Sequence, residues 1–316
     1  MNQPDLAALE REEEIQALAR FRGANPDLFQ KKDLQLFIHL SSVLFPLMVF
    51  TWTAIVTPFV GIKIFLGAVN AFLWFCLVNV TLHHHETHRN AAKGPAFKKL
   101  LDWLYLVAVP NAPKRLGRYT RSHLNHHARP FHETDVDHHY GKDRFAQMMK
   151  TPWKRFAYFL ELTFVGAHMP GWEDDRYMNQ VPLEEWNRQD YEQVKGDEKK
   201  KATRLSLLQW TGFFVLLKIF PPLAWGWAFP MLLVKNWAHF LGQFQHYDEK
   251  FLDPSRSVCN RTKTYRFPSF LNYLAGGEIS GHFLHHLFPE LPYYKVEPAR
   301  KRFLKDPELS RLFITY

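Results

Sequence analysis

The sequence predicts an all-α integral membrane protein, with four transmembrane helices in two hairpins and a cytoplasmic helical cap. Three observations predict it. From Leu34 to Ile62 there is no Asp, Glu, Lys or Arg. A second apolar tract runs from Leu205 to about Gln243, interrupted at Pro221-Pro222 and Gly226. Of the 40 Lys and Arg, only Lys63, Lys218 and Lys235 fall within the two hairpins. The rest would lie on one side, which the positive-inside rule assigns to the cytoplasm.

Each element can be justified from this pattern. Residues 1–33 are polar and form an N-terminal cytoplasmic segment, with a surface helix ending in a loop at Gly23–Pro26. A span needs roughly 20 apolar residues, which places the first at about Leu36–Val56. Thr57-Pro58 and Gly61 supply a turn, and Ile64–Thr81 returns to the starting side. The short apolar segments Leu100–Pro110 and Phe156–Val165 are too brief to span and suit helices lying along the membrane surface or buried in the core. Glu184–Lys201 is charged and exposed, and the second hairpin comes next. The membrane domain then covers residues 34–305, and residues 306–316 form a tail.

The composition excludes other classes. Cys76 and Cys259 are the two cysteines, so neither a disulfide framework nor a Cys-based metal cluster can be built. The net charge of +9 is explained by topology, and no nucleic-acid recognition motif accompanies it.

The histidines carry the chemistry. His282-x2-His285-His286 and His123-x2-His126-His127 each put three imidazoles on one helix face. A third cluster, His83-His84-His85-Glu86-Thr87-His88, emerges at the end of the second span. There His84 and His88, four apart, are the favoured pair, with His83 as substitute, whereas His85 points elsewhere. A metalloprotease HExxH is not present, because Arg89 occupies the second His position. Eight imidazoles exceed what one four- to six-coordinate metal can use, so two metals are the economical reading, and imidazole suits Fe, Zn, Cu or Ni. A metal transporter would place its ligands at mid-membrane, whereas these cluster at one membrane face. His39 and His168 read as structural.

The set His84-x3-His88, His123-x2-His126-His127 and His282-x2-His285-His286 resembles the three histidine boxes of the membrane fatty acid desaturase and hydroxylase superfamily. His282–Tyr294 is especially similar to the third box of acyl-lipid desaturases, and Gln245-His246 resembles the pair upstream of it. The resemblance implies two Fe ions held by His84, His88, His123, His126, His127, His246, His282, His285 and His286. O2 is the implied co-substrate, and the reaction begins with hydrogen abstraction from an unactivated methylene. Desaturation of a fatty acyl chain is the leading outcome, with hydroxylation or oxidative decarboxylation to a terminal alkene as alternatives.

His83, His239, Glu86, Asp135 and Asp137 are candidate metal or supporting residues, as are Asp248 and Glu278. His132, His138 and His139 could support the metals but read first as exposed. Phe72, Trp74, Phe75, Trp237 and Phe240 could line an acyl channel. Without a nucleotide fingerprint, an Fe–S set or a haem domain, electrons should come from a separate ferredoxin or cytochrome b5. The setting is a bacterial inner membrane or an ER membrane.

Overall fold

A computed structural model of the chain describes residues 3–108, 123, 126–127, 150–161, 163, 197–246, 262, 265 and 267–310. Every regular element among them is helical. In order these are α1 (Gln3–Ala24), α2 (Asp33–Val56), α3 (Val60–Phe75), a π-helical stretch Cys76–Leu82, α4 (His83–Glu86), α5 (Pro95–Ala108) and α6 (Pro152–Glu161). Next come α7 (Asp197–Ile219), a second π-helical stretch Ala224–Ala228, α8 (Phe229–His246), α9 (Ser269–Leu274) and α10 (Glu278–Leu287). A 3₁₀ turn Tyr293–Lys295, α11 (Val296–Phe303) and α12 (Pro307–Ser310) complete the described chain.

Two helices are long and apolar enough to cross a membrane: α2, with 24 residues, and the continuous helix Val60–Glu86, with 27. At 1.5 Å per residue α2 reaches about 36 Å, more than a hydrocarbon core of about 30 Å. Leu36, Leu40, Val43, Leu47 and Ala54 are buried along one side of it. Phe37, Phe45, Met48 and Trp52 are each more than half exposed, as expected of side chains facing lipid. The turn differs slightly from expectation. Thr57 is extended before Pro58, as a residue preceding proline prefers to be. The helix therefore resumes at Val60, and Gly61 lies inside its first turn.

The second apolar tract also folds as helix, break and helix, with the break at Phe220–Leu223. It packs on the first hairpin through α8 against α3 and through Ala224–Ala228 against α2. Thr51 Oγ1 donates to the Gly226 carbonyl at 3.2 Å, and Asn70 Nδ2 donates to Thr51 Oγ1 at 3.3 Å. Such bonds tie the hairpins together where apolar contact alone gives little direction.

The short apolar segments give amphipathic helices. In α5, Leu101, Tyr105 and Ala108 are buried while Leu100, Trp103, Leu106 and Val107 are exposed. In α6, Tyr158 is buried and Trp153, Phe156 and Phe159 are exposed. Residues 109–110, 162 and 164–165 lie outside the described part.

A second core joins the two ends of the chain. Ala17, Phe21 and Leu28 pack with Phe283, Leu284 and Phe288 of the third histidine segment and with Val296, Ala299 and Phe303 of α11. Phe21 meets Phe288 and Phe303 at ring separations of 5.8 and 5.5 Å. Two glycines let α10 settle here. Gly277 enters it at φ 82°, open to glycine at little cost. Gly281, where the helix departs from helical angles at φ −136°, lies against the Val296 side chain with no room for a Cβ.

Phe283 is fully buried between α10 and α11. Phe283→Ala should cost about 3–5 kcal/mol, seen as a lower midpoint of thermal unfolding in detergent. An unchanged midpoint would contradict this packing.

Candidate metal centre

The site begins with the phase of a helix. After α3, the π-helical stretch Cys76–Leu82 adds residues to the turn and rotates the first histidine cluster relative to α3. His83 and His84 thereby enter the protein interior, 8% and 1% exposed. The chain reverses at Arg89, which takes φ 53°, and Asn90 folds back beneath the cluster. His123, His126 and His127 approach from a second segment, and α10 brings His282, His285 and His286 from a third.

Four imidazoles meet nitrogen to nitrogen. His83 Nε2 lies 3.1 Å from His123 Nε2, which lies 2.8 Å from His127 Nε2, which lies 3.0 Å from His285 Nε2. Each ring nitrogen offers either one proton or one lone pair. A chain of four such atoms can satisfy its two outer contacts only, so the shortest, His123 to His127, is left unsatisfied. A shared cation resolves it. Ligands at right angles on a metal with bonds of about 2.0–2.1 Å stand about 3 Å apart. His88 Nε2 is also buried here and makes no hydrogen bond. Donor atoms of His83, His88, His123 and His285 all lie within 4.8 Å of one another.

A second group centres on Glu278. The Asn90 amide NH2 donates to the carbonyls of Pro289 and Leu291, both at 2.8 Å. Its Oδ1 therefore faces His84 Nδ1 at 3.1 Å and accepts that proton. His84 Nε2 then stands 2.8 Å from Glu278 Oε1. A lone pair and a carboxylate oxygen at that distance require a proton or a metal ion between them. His285 completes this group within 4.8 Å. Glu278 Oε2 lies 3.2 Å from His282 Nδ1, and His282 Nε2 lies 3.1 Å from His286 Nε2. His126 stacks edge-on against His286 at 4.8 Å.

The electrostatics suit a metal. Burial, reinforced by the neighbouring His84, lowers the His88 pKa to about 3. Burial and adjacent imidazoles likewise hold His123, His127 and His285 well below the usual histidine range. These rings are neutral at physiological pH, with lone pairs free to ligate. Burial works to raise the Glu278 carboxyl, but its close contacts with His282 and His84 outweigh it and hold it well below the usual carboxylate range. Glu278 is thus ionised inside a ring of histidines.

The structure therefore gathers His83, His84, His88, His123, His126, His127, His282, His285 and His286. Of the first cluster, both His83 and His84 face inward, where the spacing favoured His84 with His88 and kept His83 as a substitute. His85 does point elsewhere, 2.8 Å from Asp102 Oδ1. Glu86 turns with it, 3.5 Å from His85 and 3.6 Å from Arg89. Asp135, Asp137, Asp248, His132, His138, His139 and His168 lie outside the described residues, as do the side chains of His239, Phe240 and His246. The neighbouring Gln245 donates to the Glu278 backbone carbonyl at 3.2 Å, which anchors the end of α8 at the site.

His39 is structural as expected. Its Nε2–H donates to the Tyr273 carbonyl at 2.9 Å, so its Nδ1 accepts from the Tyr293 hydroxyl at 3.2 Å. Sequence pattern does not single out Asn90, Asp102 or Tyr293 as site residues. Only the proximity of Asn90 to the first cluster and the Pro292-Tyr293-Tyr294 run after the third could have flagged them.

Residues 58–315 match the model of the fatty acid desaturase family. The chain belongs to that family. A search of curated proteins finds no match. The family is of the di-iron, O2-dependent type and makes this desaturase-family member an oxidoreductase acting on lipid. The nitrogen-rich donor set, with its unsatisfied contacts, fits metal ions of that kind.

Glu278→Gln should keep the shape of the site but lose the charge that orients His84 and His282. Metal affinity, read by chelator competition, should fall about 10–100-fold. Unchanged affinity would remove Glu278 from the centre.

Proposed function

We propose that this chain is a four-span membrane enzyme that uses O2 to desaturate a fatty acyl chain at a centre of two irons. The observation that carries this reading is the convergence of the three histidine clusters on short nitrogen-to-nitrogen contacts, in a chain of the fatty acid desaturase family. The ligands are drawn from His83, His84, His88, His123, His126, His127, His282, His285 and His286, with His246 arriving from the end of α8. Bound iron supplies the activation of O2 and the oxidation of an unactivated methylene.

The protein residues do the rest. Glu278 and Asn90 fix the orientation of His84, and Glu278 also holds His282. Leu77, Val80, Leu82, Ile279 and Tyr293 belong to one buried apolar cluster that adjoins the site, with the Tyr293 ring 5.4 Å from that of His84, and this surface would keep water from it. Phe72, Phe75 and Trp237 pack on one another between the hairpins, with Phe72 and Trp237 rings 5.4 Å apart, and mark the side from which an acyl chain would approach.

In the balance, two hydrogens leave adjacent carbons, two electrons and two protons come from outside, and O2 becomes two waters. The desaturase family implies an electron donor, which in this reading is a separate ferredoxin or cytochrome b5. The termini and the histidine clusters lie on the basic, cytoplasmic side.

Two variants test the reading. His126→Ala and His285→Ala should each abolish product while the protein stays in the membrane. Product is read by mass spectrometry of acyl chains and headspace volatiles from expressing cells. New internal double bonds establish desaturation. A hydroxylated acid or terminal alkene would keep the centre and replace the reaction, and activity retained in both variants would overturn the di-iron reading.

A further inference from the structure

A group of lysines at the start of α2 has no salt-bridge partner among the described residues. Three segments meet there. Lys31 Nζ donates to the Arg89 carbonyl. The Tyr294 hydroxyl accepts the Lys32 backbone N–H at 2.8 Å and donates to the Ala91 carbonyl at 3.2 Å. The adjoining Lys295 is only 6% exposed. Lys98 comes from α5, one turn before the exposed Trp103. The nearest carboxylates are engaged elsewhere. Asp33 accepts the backbone N–H groups of Lys93 and Gly94 at 2.8 and 2.9 Å, and Asp27 is held by Arg302 at 2.7 and 2.8 Å.

Among the described residues, no carboxylate pairs with Lys31, Lys32, Lys98 or Lys295. Burial, and then the charge of Lys98, lowers the pKa of Lys31; burial, and then the charge of Lys32, lowers that of Lys295, with Asp27 opposing and Arg302 adding. Like charges are therefore crowded, one of them nearly buried, and the nearby carboxylates, Asp33 and the Arg302-bound Asp27, are fewer than the four ammonium groups.

We propose that Lys31, Lys32, Lys98 and Lys295 bind the phosphate of an anionic lipid headgroup. The place fits a lipid rather than an acidic protein. Lys31 and Lys32 directly precede α2, the first helix long and apolar enough to span, and the exposed Leu34, Phe37 and Ile38 follow within its first two turns. Lys98 sits on α5, on which Leu100, Trp103, Leu106 and Val107 are exposed. Headgroup phosphate would meet ammonium groups there while its acyl chains lie along α2 and α5. The inference rests on α2 being a membrane span and not on the oxidation chemistry.

The test is native mass spectrometry of the purified full chain in detergent, with added phosphatidylglycerol or phosphatidylcholine. The anionic lipid should be retained in preference. Lys31→Gln/Lys32→Gln, both away from the core, should weaken that retention roughly fivefold for each lysine removed. Lys63→Gln, at the far end of the hairpin, should leave it unchanged. Equal retention of the two lipids, or no loss in the double variant, overturns the proposal. Inorganic phosphate that competes as tightly as the lipid binds would assign the site to free phosphate and also overturn it. Turnover lost with an acidic electron carrier, at unchanged lipid retention, would make the lysines a protein-docking face instead. Because lipid retention is read without turnover, failure here is separate from failure of the desaturase reading.

Discussion

The arrangement depends on one constraint: neutral imidazole nitrogens crowded together away from water. His83, His123, His127 and His285 bring four Nε2 atoms into a row of contacts near 3 Å that hydrogen bonds can satisfy only in part. If the two outer contacts take the available protons, His123 and His127 still hold two ring nitrogens 2.8 Å apart with none to spare between them, and a cation bound there would compensate. The helices can be understood as the means of holding that place. The π-helical stretch Cys76–Leu82 sets the phase of the first cluster, and the Phe21–Phe283–Phe303 core fixes α10, which carries the third.

Glu278 shows how the three segments are kept in register. One carboxylate reaches His84 from the first cluster and His282 from the third, and its own backbone carbonyl receives Gln245 from α8. Asn90 adds a fixed proton on His84 because its amide is oriented by two backbone carbonyls. The ligand geometry therefore rests on groups that are not histidines. Away from these contacts, His85 and Asp102 bind α5 to the end of the first cluster.

The hairpins and the histidine clusters were legible in the sequence because both are local patterns. A charge-free run such as Leu34–Ile62 marks a helix long and apolar enough to span a membrane, and HxxHH spacing states its helix face. The rest was not local. Spacing favoured His84 over His83, since an ordinary helix puts residues four apart on one face, whereas the π-helical stretch and the reversal at Arg89 turn both rings inward. Glu278 could be suspected but not chosen from among several carboxylates. The roles of Asn90 and Tyr293 arise from contacts with residues far along the chain. Residues 1–33 looked like a separate polar segment, yet Ala17, Phe21 and Leu28 are buried against α10 and α11. Their apolar side chains are too few to announce a core without the partner surface.

The central claim is that this pocket holds two irons. Iron content per chain, with X-ray absorption at the iron edge on the purified protein, tests that most directly. Two irons per chain are predicted, in a shell dominated by imidazole nitrogen, with few oxygen neighbours and no sulfur. A folded, membrane-embedded protein that takes up a single iron, or binds another metal in its place, would contradict it.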